Sequence, residues 1–327
     1  MKKQFYCLIG CLFLLIGGCS FSERPYQKDF FAMDTYMSIT VYGKNAEQAA
    51  KACISEIHEL DALLDKNDPN SDIFRLNHAQ GSPVSVDART YELLTEAVEY
   101  AALTEGTFDP TINAISELWG IHNGQGHVPS DEELSQAIQK TGYKKISFPQ
   151  GSVCLSDGAT IDLGGIAKGY AADRAARILQ DAGISRAVLS LGGNVYVLGD
   201  KGNGQPWKVG IQDPDNRLET AATLLLKNCS AVTSGDYERY FEQDGVRYHH
   251  IFDPQTGYPG NTGLRSVTVL CESSAKADAY STALFLMGIS QGMEFYREHG
   301  GFEAVFILAD GSIQYTDEAA RFLSSAQ

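Results

Sequence analysis

The sequence predicts an α+β fold. Its strand-like runs are separated by hairpin turns rather than by helices, and its helix-like runs come in blocks. A doubly wound α/β chain would instead alternate strand and helix. No internal repeat or low-complexity segment interrupts this pattern.

The chain opens on a leader. Lys2 and Lys3 make a positive start, residues 8–16 are apolar, and Gly17-Gly18 run directly into Cys19. That stretch is far short of the roughly 20 residues of a permanent spanning helix, so residues 1–18 read as a signal segment. Small residues directly before a cysteine resemble the lipobox of bacterial lipoproteins, with Cys19 acylated as the new N-terminus. An ordinary secretory signal with an incidental cysteine is the alternative. Acylation would place the protein outside the cytoplasmic membrane, on the periplasmic or extracellular side, held to the surface by lipid.

Residues 19–30 read as a polar tether. A strand is expected at 35–42, then an amphipathic helix from Asn45, whose Ala49, Cys53, Ile57, Leu60 and Leu64 recur every three or four positions. A second helix is expected from about 87 to 105, stopping at Gly106 with Leu94, Val98 and Ala101 on one face. Ser130 with Glu133 forms a capping box that opens a third. Around Asp157-Gly158 the pattern predicts a hairpin with arms at 153–155 and 160–163. A helix over 166–182 follows, then strands near 187–191, 207–212, 221–227, 247–252 and 265–270. Helices over 274–287 and 290–299 precede a last hairpin at Asp310-Gly311.

Lys2 and Lys3 are the leader's only charges, so the 309 residues after it carry 24 basic and 41 acidic side chains, a net charge of −17. Such an acidic surface argues against nucleic acid or anionic lipid as a partner. A phosphate-bearing ligand would need a local cation. Cys53, Cys154, Cys229 and Cys271 are scattered, with no CxxC and no histidine at metal spacing, and are expected as free, buried thiols.

The most informative segment is Asp162-Leu163-Gly164-Gly165-Ile166-Ala167-Lys168-Gly169, where a strand runs through two glycines into a helix. Glycines let backbone groups approach a ligand, and a helix start favours phosphate. Asp162 can accept hydrogen bonds from a ring or ribose. Lys168 gains nothing from the dipole in a first turn and is expected to face an anion. A tight corner with a surface lysine is the plainer alternative. Gly192-Gly193, after another strand, suggests a second phosphate or adenosine contact, or simply a bulge. Asp278 and Thr282 are four apart, so a helix projects their oxygens from one face among small apolar neighbours. A carboxylate and a hydroxyl, completed by a carbonyl and ligand phosphates, suit Mg²⁺; a threonine bonding back to its own helix would look the same. Thr107-Phe108-Asp109 puts an aromatic beside a carboxylate, as a flat heterocycle would need, or is an ordinary loop with a buried ring. His249 and His250 stand before Ile251 and Asp253 at a strand end, where a histidine could serve as a general base or be structural.

Taken together and in order, these segments resemble the ApbE family of FAD:protein FMN transferases. Met33-Asp34-Thr35, Thr107 to Thr111 with Trp119-Gly120, Asp162 to Asp173, Leu191 to Asn194, Thr233-Ser234-Gly235, His250 to Pro254 with Thr256-Gly257, and Ala277 to Ala283 carry the likeness. It spans roughly residues 30 to 310, within a domain set at 31–327. The resemblance implies an α+β domain of the T-fold-like type, a mainly antiparallel sheet flanked by helices. It implies that FAD binds in a cleft with Mg²⁺ at its diphosphate. FMN then passes to a Ser or Thr hydroxyl of an acceptor protein, and AMP leaves. Carried over, Met33, Asn67, Thr107, Phe108, Asp109, Asp162, Lys168, Gly192, Gly193, His250 and Ile251 should contact FAD. Gly165 (through its carbonyl), Asp278 and Thr282 should hold the metal, and His250 with Asp278 should act in catalysis. Asp34 stands where many members have Gly, Gly165 where many have Ala, and Asn67 near a position that some fill with an aromatic. A Mg²⁺-dependent FAD pyrophosphatase yielding FMN and AMP, or a lipoprotein that only binds flavin, are the competing readings.

Overall fold

The computed structural model describes residues 24–324; the leader and Cys19 lie outside the described residues. The strands are β1 (Tyr26–Ala32), β2 (Thr35–Tyr42), β3 (Ile146–Ser147), β4 (Cys154–Leu155), β5 (Arg186–Leu191), β6 (Asn194–Leu198), β7 (Trp207–Gln212), β8 (Thr220–Leu226), β9 (Cys229–Gly235), β10 (Tyr240–Gln243), β11 (Val246–His249), β12 (Leu264–Cys271), β13 (Glu303–Leu308) and β14 (Ile313–Tyr315). The helices are α1 (Ala46–Leu64), α2 (Asp72–Asn77), α3 (Ala88–Leu103), α4 (Asn113–Trp119), α5 (Asp131–Lys140), α6 (Ala167–Asp181) and α7 (Ser274–His299).

One antiparallel sheet in the order β1-β2-β5-β6-β9-β12-β13-β14 organises the chain. Alternation decides its faces: Met37, Ile39 and Val41 of β2 are buried, while Ser38 and Thr40 between them are half-exposed and Tyr36 before them points to solvent. On the buried face lie α1, α6 and α7, with Ala49, Cys53, Ile57, Leu60 and Leu64 of α1 all inward as the periodicity predicts. The β7–β8 hairpin covers part of the other face, where Ile211, Leu224 and Leu226 meet Val197, Ala231, Leu270 and Val305. A smaller cluster around Trp119 joins α4 and α5 to Phe252, and the Trp119 Nε1 donates to the Gly257 carbonyl at 2.7 Å. Cys53, Cys229 and Cys271 are buried free thiols, and Cys154 is half-buried. Among the described residues no helix is long and apolar enough to cross a membrane.

Three expectations need correction. Residues 26–30 are not tether but part of β1, paired with β2 from Tyr26↔Val41 to Ala32↔Thr35. As an edge strand it exposes Gln27, Lys28 and Asp29, and this polarity hides its strand character. The turn at Asp157-Gly158 forms, but its arms do not pair with each other. Cys154 and Leu155 pair with β3, Thr160 bridges Ile112, and the Ile161 peptide groups bond the Asn77 amide at 2.7 and 2.9 Å. Each arm finds a separate partner, which an isolated two-stranded hairpin could not match in burial. Finally, the strand expected at 247–252 ends at His249.

The registers Met37↔Leu191 and Asn194↔Val232 place the Met33-Asp34 turn, the Gly192-Gly193 turn and the end of β9 at one edge of the sheet. The helix α7 runs alongside β9. Ser230 donates to Ser274 at its start (2.7 Å), and Ser234 meets Ser281 two turns on (2.8 Å).

Candidate active site

The site begins where α6 starts. Asp162 Oδ1 accepts from the Gly164 N–H at 2.8 Å, closing a tight turn that aims the chain into the helix. The residue before α6, Ile166, offers no side-chain cap, so the first amides need other acceptors. One is found in α7: Gly169 N–H donates to Asp278 Oδ2 at 2.9 Å. This contact requires glycine, since a Cβ at Gly169 would stand 2.3 Å from the Ser274 carbonyl oxygen. Asp173, one turn further along α6, caps α7 by accepting from the Ser274 and Ala275 amides at 2.7 and 3.0 Å and from the Ser273 hydroxyl at 3.1 Å.

The two helices thus bring the predicted metal oxygens together. Asp278 is 4 % exposed, one turn inside α7. The Thr282 hydroxyl lies 3.5 Å from where a Gly165 Cβ would be, and the Phe108 ring 3.3 Å from it. Ser234 Oγ adds a further oxygen, 3.4 Å from Thr282 Oγ1. Lys168 Nζ donates to the Gly164 carbonyl at 2.9 Å and stands 4.0 Å from Asp278 Oδ2. Among the described residues no three His, Cys, Asp or Glu are grouped so that they could hold a metal ion together. One carboxylate with hydroxyls and a carbonyl is a hard-oxygen set; it fits Mg²⁺ sharing its shell with phosphates and does not fit a thiolate or imidazole metal.

A second wall carries the charged groups. Lys66, just past α1, reaches Asp162 Oδ2 at 2.9 Å, Glu117 at 2.7 Å and the Asn113 amide oxygen at 2.7 Å. Burial works against the Asp162 carboxylate, yet the Lys66 ammonium and the Gly164 amide outweigh it and hold the acid below its ordinary range. Burial likewise opposes the Lys66 charge, and Asp162 with Glu117 overcomes it, raising the ammonium. His250 Nδ1 lies 3.2 Å from the Arg239 carbonyl, and burial, then His122 and His249, push its imidazole down to about 3. His249 is structural: Nε2 donates to the Gly260 carbonyl at 2.8 Å, and Nδ1 accepts from the Ile251 amide.

The remaining predicted residues divide. Met33 half-buries its side chain at the β1–β2 turn. There Met33 and Asp34 take φ values of 48° and 56°, the two left-handed positions of a short hairpin turn, which explains why glycine suits the second. Gly192 and Gly193 form the matching β5–β6 turn, not a bulge, and a Cβ on Gly192 would stand 2.4 Å from Thr35. Asn67 is exposed beside Lys66, and Thr107 is half-buried next to Phe108. Asp109 is fully engaged: it accepts from the Thr111 amide and hydroxyl and from the Tyr143 amide, so it holds the loop. Ile251 has a buried side chain, its amide donates to His249 Nδ1, and its carbonyl accepts from the Gly260 amide. Lys66, Asn113, His122 and Arg239 carry no signal in the sequence, because each looks like an ordinary polar residue until the topology gathers them, and Ser234 enters it only as part of Thr233-Ser234-Gly235, with no role at the site attached.

The sequence matches the model of the ApbE family over residues 33–306. It is 34% identical to an FAD:protein FMN transferase of Treponema pallidum, covering 93% of this chain and 91% of that protein. It is 35% identical to one from Vibrio cholerae, with 86% of each covered. The fold superposes on the crystal structure of the ApbE protein of Thermotoga maritima with a TM-score of 0.86 at 36% identity, covering 92% of this chain and all of that one. For the flavinyl transferase ApbE of Pseudomonas stutzeri the TM-score is 0.83 at 28% identity, covering 93% and 98%.

Proposed function

Because this chain belongs to the ApbE family, we propose that it is an FAD:protein FMN transferase, dependent on Mg²⁺ and acting on a Ser or Thr of an acceptor protein. The acceptor hydroxyl attacks the phosphorus on the FMN side of the FAD diphosphate. A new P–O bond joins FMN to the acceptor, the P–O bond to the bridging oxygen breaks, and AMP leaves with that oxygen. His250 takes the hydroxyl proton. Its Nδ1 faces a carbonyl and must carry the hydrogen, so the bare Nε2 is the basic nitrogen.

Asp278, Thr282 and the Gly165 carbonyl would hold Mg²⁺, whose charge would offset the phosphoryl oxygens. Lys168 adds a cation beside them, and Lys66 keeps Asp162 ionised to accept hydrogen bonds from FAD. The observation that carries this reading is the meeting of two stretches 109 residues apart, with Asp278 bonded to the Gly169 amide. The leader and Cys19 support export and a lipid anchor on the outer face of the cytoplasmic membrane.

The test is incubation with FAD, Mg²⁺ and a flavin-acceptor domain, read as protein-bound fluorescence on a denaturing gel and as the added mass of FMN. Wild type should label the acceptor and release AMP, and Asp278→Ala should lose both by at least about 100-fold. Free FMN with unlabelled acceptor would instead favour the pyrophosphatase. Flavin binding without any product would favour a storage lipoprotein.

A further inference from the structure

Arg239 follows β9 and touches three parts of the cleft. Its carbonyl accepts from the His250 amide at 3.1 Å and from His250 Nδ1 at 3.2 Å. Its guanidinium reaches His122 Nδ1 at 2.9 Å and the Asp34 carbonyl at 3.4 Å. A guanidinium only donates, so His122 Nδ1 is the bare nitrogen and its hydrogen sits on Nε2. The carbonyl only accepts, so His250 is the opposite tautomer. The two rings stand edge to face, centroids 5.9 Å apart. One residue therefore gives neighbouring histidines opposite polarity at Nε2: a donor on His122, an acceptor on His250.

We propose that Arg239 is a positioning residue that fixes His122 as an Nε2–H donor to a phosphoryl oxygen of the nucleotide substrate, beside the His250 acceptor. The inference rests on the FMN-transfer reading above. The titratable groups around His122 are Asp162, Arg239, Lys66 and Glu117, and those around His250 are His122, His249 and Arg239. Desolvation of the ring first, then Arg239 and Lys66, lower the His122 imidazole against the pull of Asp162 and Glu117, although the residue as a whole stays exposed. A neutral N–H can still donate to an anionic oxygen, a charge-assisted bond, and Arg239 and Lys66 supply positive charge around it.

The test uses the full-length protein labelled with ¹⁵N-histidine, with resonances assigned from His122→Gln and His250→Gln. Two-bond ¹H–¹⁵N spectra should show His122 protonated at Nε2 and His250 at Nδ1. In Arg239→Met, His122 should become a mixture of tautomers while His250, held by a backbone carbonyl, stays unchanged. FMN transfer should then fall roughly ten- to hundredfold, the range for losing a hydrogen bond to a charged group. His122→Phe should fall equally, whereas His122→Gln, whose amide restores an N–H at that place, should keep most of the turnover. A merely structural Arg239 would leave the tautomers alone. Wild-type His122 protonated at Nδ1, or His122→Phe transferring at the wild-type rate, would overturn the proposal. Full transfer by His250→Gln would instead remove the general-base reading and leave the His122 assignment intact.

Discussion

At the scale of single residues, the site works by keeping some groups charged and others neutral. His250 is the clearest case, with an imidazole lowered from 6.5 to about 3 by burial first and by its histidine neighbours next. The unfolded chain takes up that proton near pH 6.5, while the folded chain resists until about 3. The contribution to stability is therefore complete above 6.5 and is lost as pH falls through this window. Urea midpoints measured from pH 7 to pH 4 should decline less steeply in His250→Gln than in wild type. In the same window, the acid limb of the transfer rate should lie below the pH 6.5 of a free imidazole. Asp162, Lys168, Asp278 and Thr282 were legible in the sequence because glycine pairs and a small-residue helix face mark where a ligand can approach. Arg239 and His122 were not legible, since what makes them useful is a contact between residues 117 positions apart.

Among elements, the approach of α6 to α7 decides whether the proposed metal-binding oxygens can meet. Gly169 permits it, and Asp173 ties the two helices by capping α7 from α6. Gly169→Ala should force the helices apart, with an overpacking cost of about 1–3 kcal/mol. Its transfer activity should drop well beyond what that loss of stability explains, measured as Mg²⁺ needed for half-maximal rate alongside the urea midpoint. The break in α7 at Gly288, with φ of 71°, falls between the two helices the sequence suggested, and Thr262 satisfies the freed Phe285 carbonyl at 2.8 Å. Long periodic elements such as α1 and the capping box at Ser130 were readable from local chemistry. The strand β1 and the arms around Asp157 were not. An edge strand can stay polar, and the pairing of those arms is decided by Val84, Ile112 and Asn77, which lie far away in sequence.

For the molecule as a whole, a chain of net charge −15 must bind a dianionic nucleotide against its own field. The site answers with local cations, Lys66, Lys168 and Arg239, around a shell of hard oxygens. Cys19→Ala should move the protein from the membrane fraction to the soluble one while the purified enzyme still labels its acceptor. Retention at the membrane would remove the lipid-anchor reading. The central claim is tested most directly by diffraction from crystals soaked with FAD and Mn²⁺, using the anomalous signal of manganese. The account predicts one strong peak bounded by Asp278, Thr282 and the Gly165 carbonyl, with diphosphate oxygens completing its shell. A peak elsewhere, or FAD bound with its diphosphate far from those oxygens, would contradict it.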